Sequence, residues 1–322
     1  MNVNVGIIGT GWFAGTHAEI LSRMDGVKVR AVCGSGMEKA ERFAADWPDA
    51  TAFASVEEML DRIPLDAVYI CVPPMAHGKI ERLLIERGIP FFVEKPLATD
   101  LEVPSQILAE LQRKPVITSV GYHFRYMEST TKAISLLKTM KTGSALGFWM
   151  GDMPKVPWWR KQEGSGGQFI EQTTHLVDLL RYTLGEIREV YAAYANRVMH
   201  EAEDGVTVAD VGTVTLKLAS GAIASISNTC ILPMTEKIGL HIYTDRGVLQ
   251  LGMNSLTEIG KDRTEEWRNT ANPVVAENEA FIRAVRTGDA SGILSPYEDA
   301  FKTQQVTVAA LHSAALGQPV PL

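Results

Sequence analysis

Short apolar runs rich in β-branched residues recur through the first third of the chain, at 3–8, 27–33, 67–72, 89–93 and 116–120, with a shorter one at 51–53. Between them, at 15–24, 37–47, 56–62 and 76–87, apolar positions return every three or four residues. The first pattern is that of strands buried on both faces, the second that of helices with one apolar stripe. Six strands alternating with helices predict a doubly wound parallel α/β sheet of Rossmann type over residues 1–121. From residue 122 the texture changes. A helix is expected at 128–140, then strands at 145–151, 187–197, 206–218, 222–231, 237–243 and 247–251, and two closing helices at 275–286 and 296–316. Residues 208–218 alternate for most of their length, as a strand with one covered face does. Residues 122–322 should therefore form an α+β domain on a largely antiparallel open sheet. Its other face is the expected contact between copies in a homodimer or homotetramer.

Composition narrows the class. A chain of 322 residues exceeds one comfortable core, in keeping with two domains. With 46% hydrophobic and 21% charged residues it reads as globular. The net charge of −7 and the lack of any Lys/Arg-rich run speak against a nucleic-acid partner. No apolar stretch approaches the roughly 18 residues that span a bilayer, and the first residues read as a strand rather than a leader. Cys33, Cys71 and Cys230 lie far apart without metal-ligand spacing. They are expected to be reduced thiols of a cytoplasmic protein with no metal.

The first strand runs into Gly9-Thr10-Gly11-Trp12-Phe13-Ala14, a G-x-G-x-x-A pattern between strand and helix. Gly9 would allow the tight turn and Gly11 the approach of a pyrophosphate. Ala14 would keep helix and strand close, and the helix N-terminus would supply amides and a positive dipole end. In such folds ligands bind beyond the carboxyl ends of the strands. Those ends carry Pro73-Pro74, Glu94-Lys95 and residues 121–123. In 91–98, FFVEKPLA, an apolar strand stops at two opposite charges, followed at once by Pro96. A surface turn would do this, but the position points to the rim where a dinucleotide lies. Pro96 is a candidate for a cis peptide bond. An NAD-binding fold usually carries an acid at the end of its second strand, where this chain has Cys33-Gly34-Ser35-Gly36. Small residues there, with Ser35 and with Lys39 or Arg42 for charge, favour NADP over NAD.

The second constellation lies in WWRKQEGSGGQFIEQTTHLVD, residues 158–178. A helix begun near Phe169 would put Glu171, His175 and Asp178 at i, i+4 and i+7 on one stripe. Periodicity alone also fits an amphipathic helix with a wet polar side. The flexible entry at 164–167 and the neighbouring Trp158, Trp159 and Arg160 favour a substrate site, with paired tryptophans suited either to a sugar ring or to the core. His17, His200, His241 and His312 belong to no constellation.

Taken together, these motifs resemble the glucose–fructose oxidoreductase / inositol dehydrogenase (Gfo/Idh/MocA) family, over essentially the whole chain. The marks are the glycine loop, Pro73-Pro74-x-x-His77, Glu94-Lys95-Pro96, Trp159-Arg160 ahead of Gly166-Gly167, and the run from Glu171 through His175 to Asp178. The resemblance implies a nicotinamide-dependent dehydrogenase or reductase of a sugar, polyol or related small molecule. By it, Lys95 matches the active-site lysine, His175 the catalytic histidine, and Glu94 the residue that contacts the nicotinamide ribose. Trp12, Phe13, Pro73 and His77 join the cofactor-binding set, and His123 and Arg125 the substrate pocket. Family members that oxidise polyols commonly have Asp where this chain has Glu171, so which hydroxyl that carboxylate grips stays open. Glu171 would orient His175 or bind a neighbouring hydroxyl, and Asp178 stands open between a structural and a chemical role. Two alternatives share the scaffold: glycoside cleavage with transient oxidation by tightly held NAD, and a non-catalytic dinucleotide sensor.

Overall fold

The computed structural model describes residues 2–322. Contacts divide the chain into two compact units. The first comprises the chain up to Ala98, Glu102–Gly121 and Val274–Phe301; the second Thr99–Leu101, Tyr122–Pro273 and Lys302–Leu322.

In the first unit β1 (Val3–Ile8), α1 (Trp12–Ser22), β2 (Val27–Cys33), α2 (Met37–Ala44), β3 (Thr51–Phe53), α3 (Val56–Arg62), β4 (Ala67–Ile70), α4 (Lys79–Arg87), β5 (Phe91–Val93), α5 (Glu102–Arg113) and β6 (Thr118–Val120) alternate. All six strands are parallel, in the order β3-β2-β1-β4-β5-β6. The order reverses between β1 and β4, the place where such sheets open a crevice for ligands. Val3, Val5 and Ile7 of β1 pack with Ala14, Ala18 and Leu21 of α1 in its core. Helix α5 carries Pro104. The proline falls in the first turn, where its missing N–H has no partner to lose. The expected boundary after Gly121 takes no account of Val274–Phe301, which groups with the first unit. There the Val120 amide donates to the Ser295 carbonyl (2.8 Å) and the Tyr297 amide to Thr118 Oγ1 (3.1 Å).

The second unit carries α6 (Glu128–Leu137), β7 (Thr142–Met150), α7 (Gln162–Ser165), α8 (Gln168–Glu171), α9 (Thr174–Leu184), β8 (Ile187–Ala195), α10 (Met199–Ala202), β9 (Val211–Leu218), β10 (Ile223–Thr229), β11 (Lys237–Thr244), β12 (Gly247–Gly252), β13 (Ser255–Ile259) and β14 (Thr264–Arg268). Along the chain there follow α11 (Pro273–Thr287), of the first unit from Val274 on, and then, closing the second unit, the part of α12 (Tyr297–Leu316) from Lys302 and the short β15 (Val320–Pro321). Its nine-stranded sheet runs β14-β13-β12-β11-β7-β10-β9-β8-β15, parallel only at β7–β10 and antiparallel elsewhere. One face is covered: Val214, Leu216, Ile226, Leu240 and Leu249 pack with Leu176, Leu179 and Leu180 of α9. The other exposes Leu146, Tyr191 and Ile223. The expected strands ended at 251, whereas β13, β14 and β15 lie beyond it; TEEWR of β14 is charged, as edge strands are.

The continuous helix expected from Phe169 is in fact two. The Thr173 amide reaches back to the Gln168 carbonyl, and the His175 amide then bonds to Gln172, three residues back. Wide and tight closures in succession end α8 and restart the chain as α9. Uniform angular spacing therefore does not relate Glu171 to His175. Nor is the polar side of α9 wet, since Thr174–Arg181 is buried throughout. Among the described residues no helix is long and apolar enough to cross a membrane.

Candidate cofactor and active-site residues

In the first unit β1 delivers the chain to Gly9, with φ of 112° and so close to Cys71 that a Cβ would lie 2.1 Å from its carbonyl oxygen. Only glycine fits. Gly11 caps α1, and a Cβ placed there would meet nothing within 4 Å, so the outer side of the loop is open. The first amides of a helix lack intrahelical acceptors and carry its positive dipole end. The residues present thus fit a dinucleotide's pyrophosphate. Trp12, 78% exposed, and the half-buried Phe13 follow at once, ring edge to ring face at 4.8 Å.

At the end of β2 the exposed Ser35 accepts from Lys39 Nζ (3.2 Å), whereas Arg42 is turned onto its own helix and paired with Glu38 (2.6 Å). Beyond β4 comes Pro73, then a single turn at Pro74–Ala76, and His77, whose Nδ1 lies 2.6 Å from Glu81 Oε1. The other Glu81 oxygen accepts the Gly78 amide at 2.6 Å. Burial pushes the Glu81 carboxyl up, but the charge and hydrogen bond of His77 hold it below its ordinary value. The buried Nε2 of His77 meets no partner among the described residues.

At the end of β5, Glu94 is buried and Lys95 half-buried, and the Lys95–Pro96 peptide bond is cis. A Cβ on Gly121, just past β6, would lie 2.6–2.9 Å from the Glu94 carboxyl atoms, so the carboxylate occupies space that only glycine leaves. Glu94 Oε1 is 3.0 Å from Nε2 of His17, which is fully buried on α1. The sequence reading gave His17 no role, yet it belongs to this cluster. Its visible signal was a histidine inside the buried stripe Ala14, Ala18, Leu21 of the helix after the glycine loop. Glu277 and Asn278 of α11 complete the group and had no local signal.

In the second unit His175 stands on the first turn of α9, 4% exposed. Aromatic rings surround it: Phe124 at 4.8 Å and nearly parallel, His123 at 4.8 Å, Tyr122 edge-on at 5.9 Å and Trp149 stacked at 6.0 Å. The run Tyr122-His123-Phe124 past a strand end was readable in sequence, whereas Trp149 comes from β7 and was not. Tyr122 Oη bonds Thr174 Oγ1 at 2.9 Å. Burial first, then the Asp178 charge, raises the Tyr122 hydroxyl pKa.

Arg125 is buried and forked onto Asp178, with Nε to Oδ2 at 2.7 Å and Nη2 to Oδ1 at 2.6 Å. Thr303 Oγ1 donates to Oδ1 as well, at 2.9 Å. Glu171 Oε2 accepts Trp159 Nε1 at 2.7 Å; Trp159 is buried and Trp158 half-buried. Arg160 pairs with Glu203. The structure therefore groups His123 and His175, joins Glu171 to Trp159, and gives Arg125 and Asp178 to each other.

A family model described as oxidoreductase family, NAD-binding Rossmann fold, matches residues 3–122, and the GFO/IDH/MocA C-terminal domain model matches residues 140–250. The chain is 27% identical to the uncharacterized oxidoreductase YrbE of Bacillus subtilis, over 70% of this chain and 66% of that protein. It is 23% identical to inositol 2-dehydrogenase 1 of Mycolicibacterium vanbaalenii, over 99% of this chain and 95% of that one. The crystal structure of GenD2 from gentamicin A biosynthesis, in complex with NAD, superposes with a TM-score of 0.86 at 22% identity. That match covers 100% of this chain and 96% of GenD2, and at such identity it speaks for the fold.

Proposed function

The chain belongs to the Gfo/Idh/MocA family of NAD-binding oxidoreductases, and from that premise we propose that it transfers hydride between a nicotinamide cofactor and a carbinol or carbonyl carbon of a sugar, polyol or related small molecule. The observation that carries this reading is His175. An imidazole packed among Phe124, His123, Tyr122 and Trp149 is no member of a wet helix face. Its helix is anchored one turn on by the Arg125–Asp178 pair, which holds it in place for acid–base work.

When bound, the nicotinamide supplies or accepts the hydride at C4. The first amides of α1 hold the pyrophosphate, with Gly9 and Gly11 clearing the way. Trp12, Phe13, Pro73 and His77 line the cofactor, and Glu94 accepts a ribose hydroxyl. His175 takes the substrate's hydroxyl proton in oxidation and returns it in reduction, as the side-chain type that titrates nearest neutrality. The Lys95 ammonium donates to the reacting oxygen and stabilises negative charge as it develops. Glu171, held by Trp159, orients the substrate, with His123, Trp158 and Arg160 contributing contacts. The bidentate Asp178 pair makes Arg125 a support for α9 in this scheme. NADP is the favoured cofactor, because residues 34–36 at the end of β2 hold no acid and Lys39 rests on Ser35. A second copy is assigned to the exposed face of the second sheet.

The test is nicotinamide absorbance across a panel of sugars, inositols and sugar acids with NAD and NADP, for wild type, Lys95→Ala and His175→Ala. Lys95→Ala should abolish turnover with cofactor affinity unchanged within a few-fold. His175→Ala should slow it by about 10² to 10⁴. Undiminished turnover in either variant removes that residue from the reaction, and hydrolysis of a nitrophenyl glycoside without reduced cofactor would replace the net-redox reading.

A further inference from the structure

Glu94, the acidic side chain assigned to the ribose, is almost wholly buried, and the surroundings that hold it all lie within the first unit. On one side is Gly121, whose missing Cβ makes room for the carboxylate. On the other is His17, fully buried, its ring set against Phe92 at 4.8 Å and Tyr69 at 5.2 Å. The imidazole touches polar atoms at both nitrogens. Nε2 lies 3.0 Å from Glu94 Oε1, and Nδ1 lies 2.9 Å from Asn278 Nδ2 and 3.1 Å from Asn278 Oδ1.

The tautomer follows from the next bond out. Asn278 Nδ2 donates to the Val274 carbonyl at 2.7 Å, one turn back on α11, which orients the amide. The second amide hydrogen then faces Nδ1. With Nδ1 an acceptor, the ring proton sits on Nε2 and is donated to Glu94 Oε1. The remaining neighbour is Glu277, also fully buried, with both oxygens lacking a hydrogen-bond partner. Burial, and then the nearby Glu94 charge, push its carboxyl well above the ordinary range. A neutral Glu277 does not compete with Glu94 for the imidazole proton.

We infer that His17, oriented by Asn278, is a positioning residue for Glu94: its Nε2–H occupies Oε1 and turns Oε2 toward a ribose hydroxyl in the nicotinamide half of the cofactor. This rests on the reading of Glu94 as a cofactor contact. A glutamate at a strand end has three rotatable side-chain bonds and otherwise several rotamers. One charge-assisted bond in a low-dielectric site selects among them before the ligand arrives. Histidine suits the task because it spans from the Asn278 amide on α11 to Glu94 at the end of β5 while its ring packs against Phe92 and Tyr69.

The experiment compares dissociation constants for NADH or NADPH with those for ADP, which lacks the nicotinamide ribose. Wild type, His17→Leu and His17→Gln are titrated while intrinsic tryptophan fluorescence is followed. His17→Leu should weaken dinucleotide binding about tenfold or more, the scale of a lost hydrogen bond to a charged group, and leave ADP within about twofold. His17→Gln, whose amide nitrogen falls near the place of Nε2, should recover most of the loss. A merely structural role would weaken ADP and dinucleotide together and gain nothing from Gln; that result overturns the inference, as does unchanged dinucleotide binding in His17→Leu. If His17→Leu does not fold, Asn278→Leu gives the same readout with the imidazole kept: selective weakening supports the inference and none refutes it. A stoichiometric metal found in the purified protein by elemental analysis would also overturn it, since His17, Glu94 and Glu277 would then be ligands. Wild type that binds ADP but neither dinucleotide would instead bring down the cofactor reading itself.

Discussion

The Arg125–Asp178 pair allows the most quantitative test of how the second unit holds His175. Asp178 is fully inaccessible and Arg125 only 3% exposed. The carboxylate takes two guanidinium bonds, at 2.7 and 2.6 Å, and one from Thr303 at 2.9 Å. Replacing Asp178 with Leu removes all three and leaves a buried guanidinium facing hydrocarbon. Breaking one partner of a buried pair costs about 3–5 kcal/mol, whereas exposed pairs are worth about 0–1 kcal/mol. Against a typical total of about 5–15 kcal/mol, the single variant should stay folded but with much of its margin gone. Arg125→Met should cost nearly as much, because it strands the carboxylate. The double variant Arg125→Met/Asp178→Leu should cost far less than the sum, since no uncompensated charge remains, giving a coupling of at least about 2 kcal/mol. Urea unfolding followed by circular dichroism measures this, provided the slope stays the same across the four proteins. A single-variant cost below about 1 kcal/mol, or strict additivity in the double variant, would refute the reasoning.

Two further outcomes follow from the first unit. Glu277 keeps a proton in the fold that the unfolded chain has released above its ordinary value of 4.5, so folding binds protons and stability falls as pH rises from there. Relative to Glu277→Gln, which has no proton to lose, wild type should weaken with a slope of up to about 1.4 kcal/mol per pH unit; parallel stability–pH curves would show that Glu277 is ionised in the fold. Lys39→Ala should raise the KM for NADP several-fold while leaving that for NAD unchanged, and an equal effect on both would remove Lys39 from 2′-phosphate recognition.

Local chemistry made much of this protein legible. The six parallel strands could be counted because strands buried on both faces are unbroken apolar runs, and the glycine loop because its backbone conformation demands glycine at Gly9. Glu94 and Lys95 stood out as charges at the end of an apolar strand, and His175 as one of three polar groups at helical spacing. Less visible was anything resting on a partner distant in the chain. His17 looked like a lone histidine because Glu94 lies 77 residues away and Asn278 lies 261 away. Arg125 read as a pocket residue because nothing local announces that Asp178, 53 residues on, will take its fork. Helix periodicity misled at Glu171 and His175, since a uniform turn was assumed where the Thr173 amide closes a wider one.

By itself, then, the order of residues settled the parallel sheet and the loop at its first turn and nominated the side chains proposed for the chemistry, because these depend on neighbours within a few positions. Tertiary structure alone decided how those candidates are held. It assigned Trp159 to Glu171, Asp178 to Arg125 and His17 to Glu94. It also drew Val274–Phe301 back against the first sheet. Such pairings are chosen when burial strips water from every polar group at once, and each must then find whichever complementary atom the packing has brought within reach.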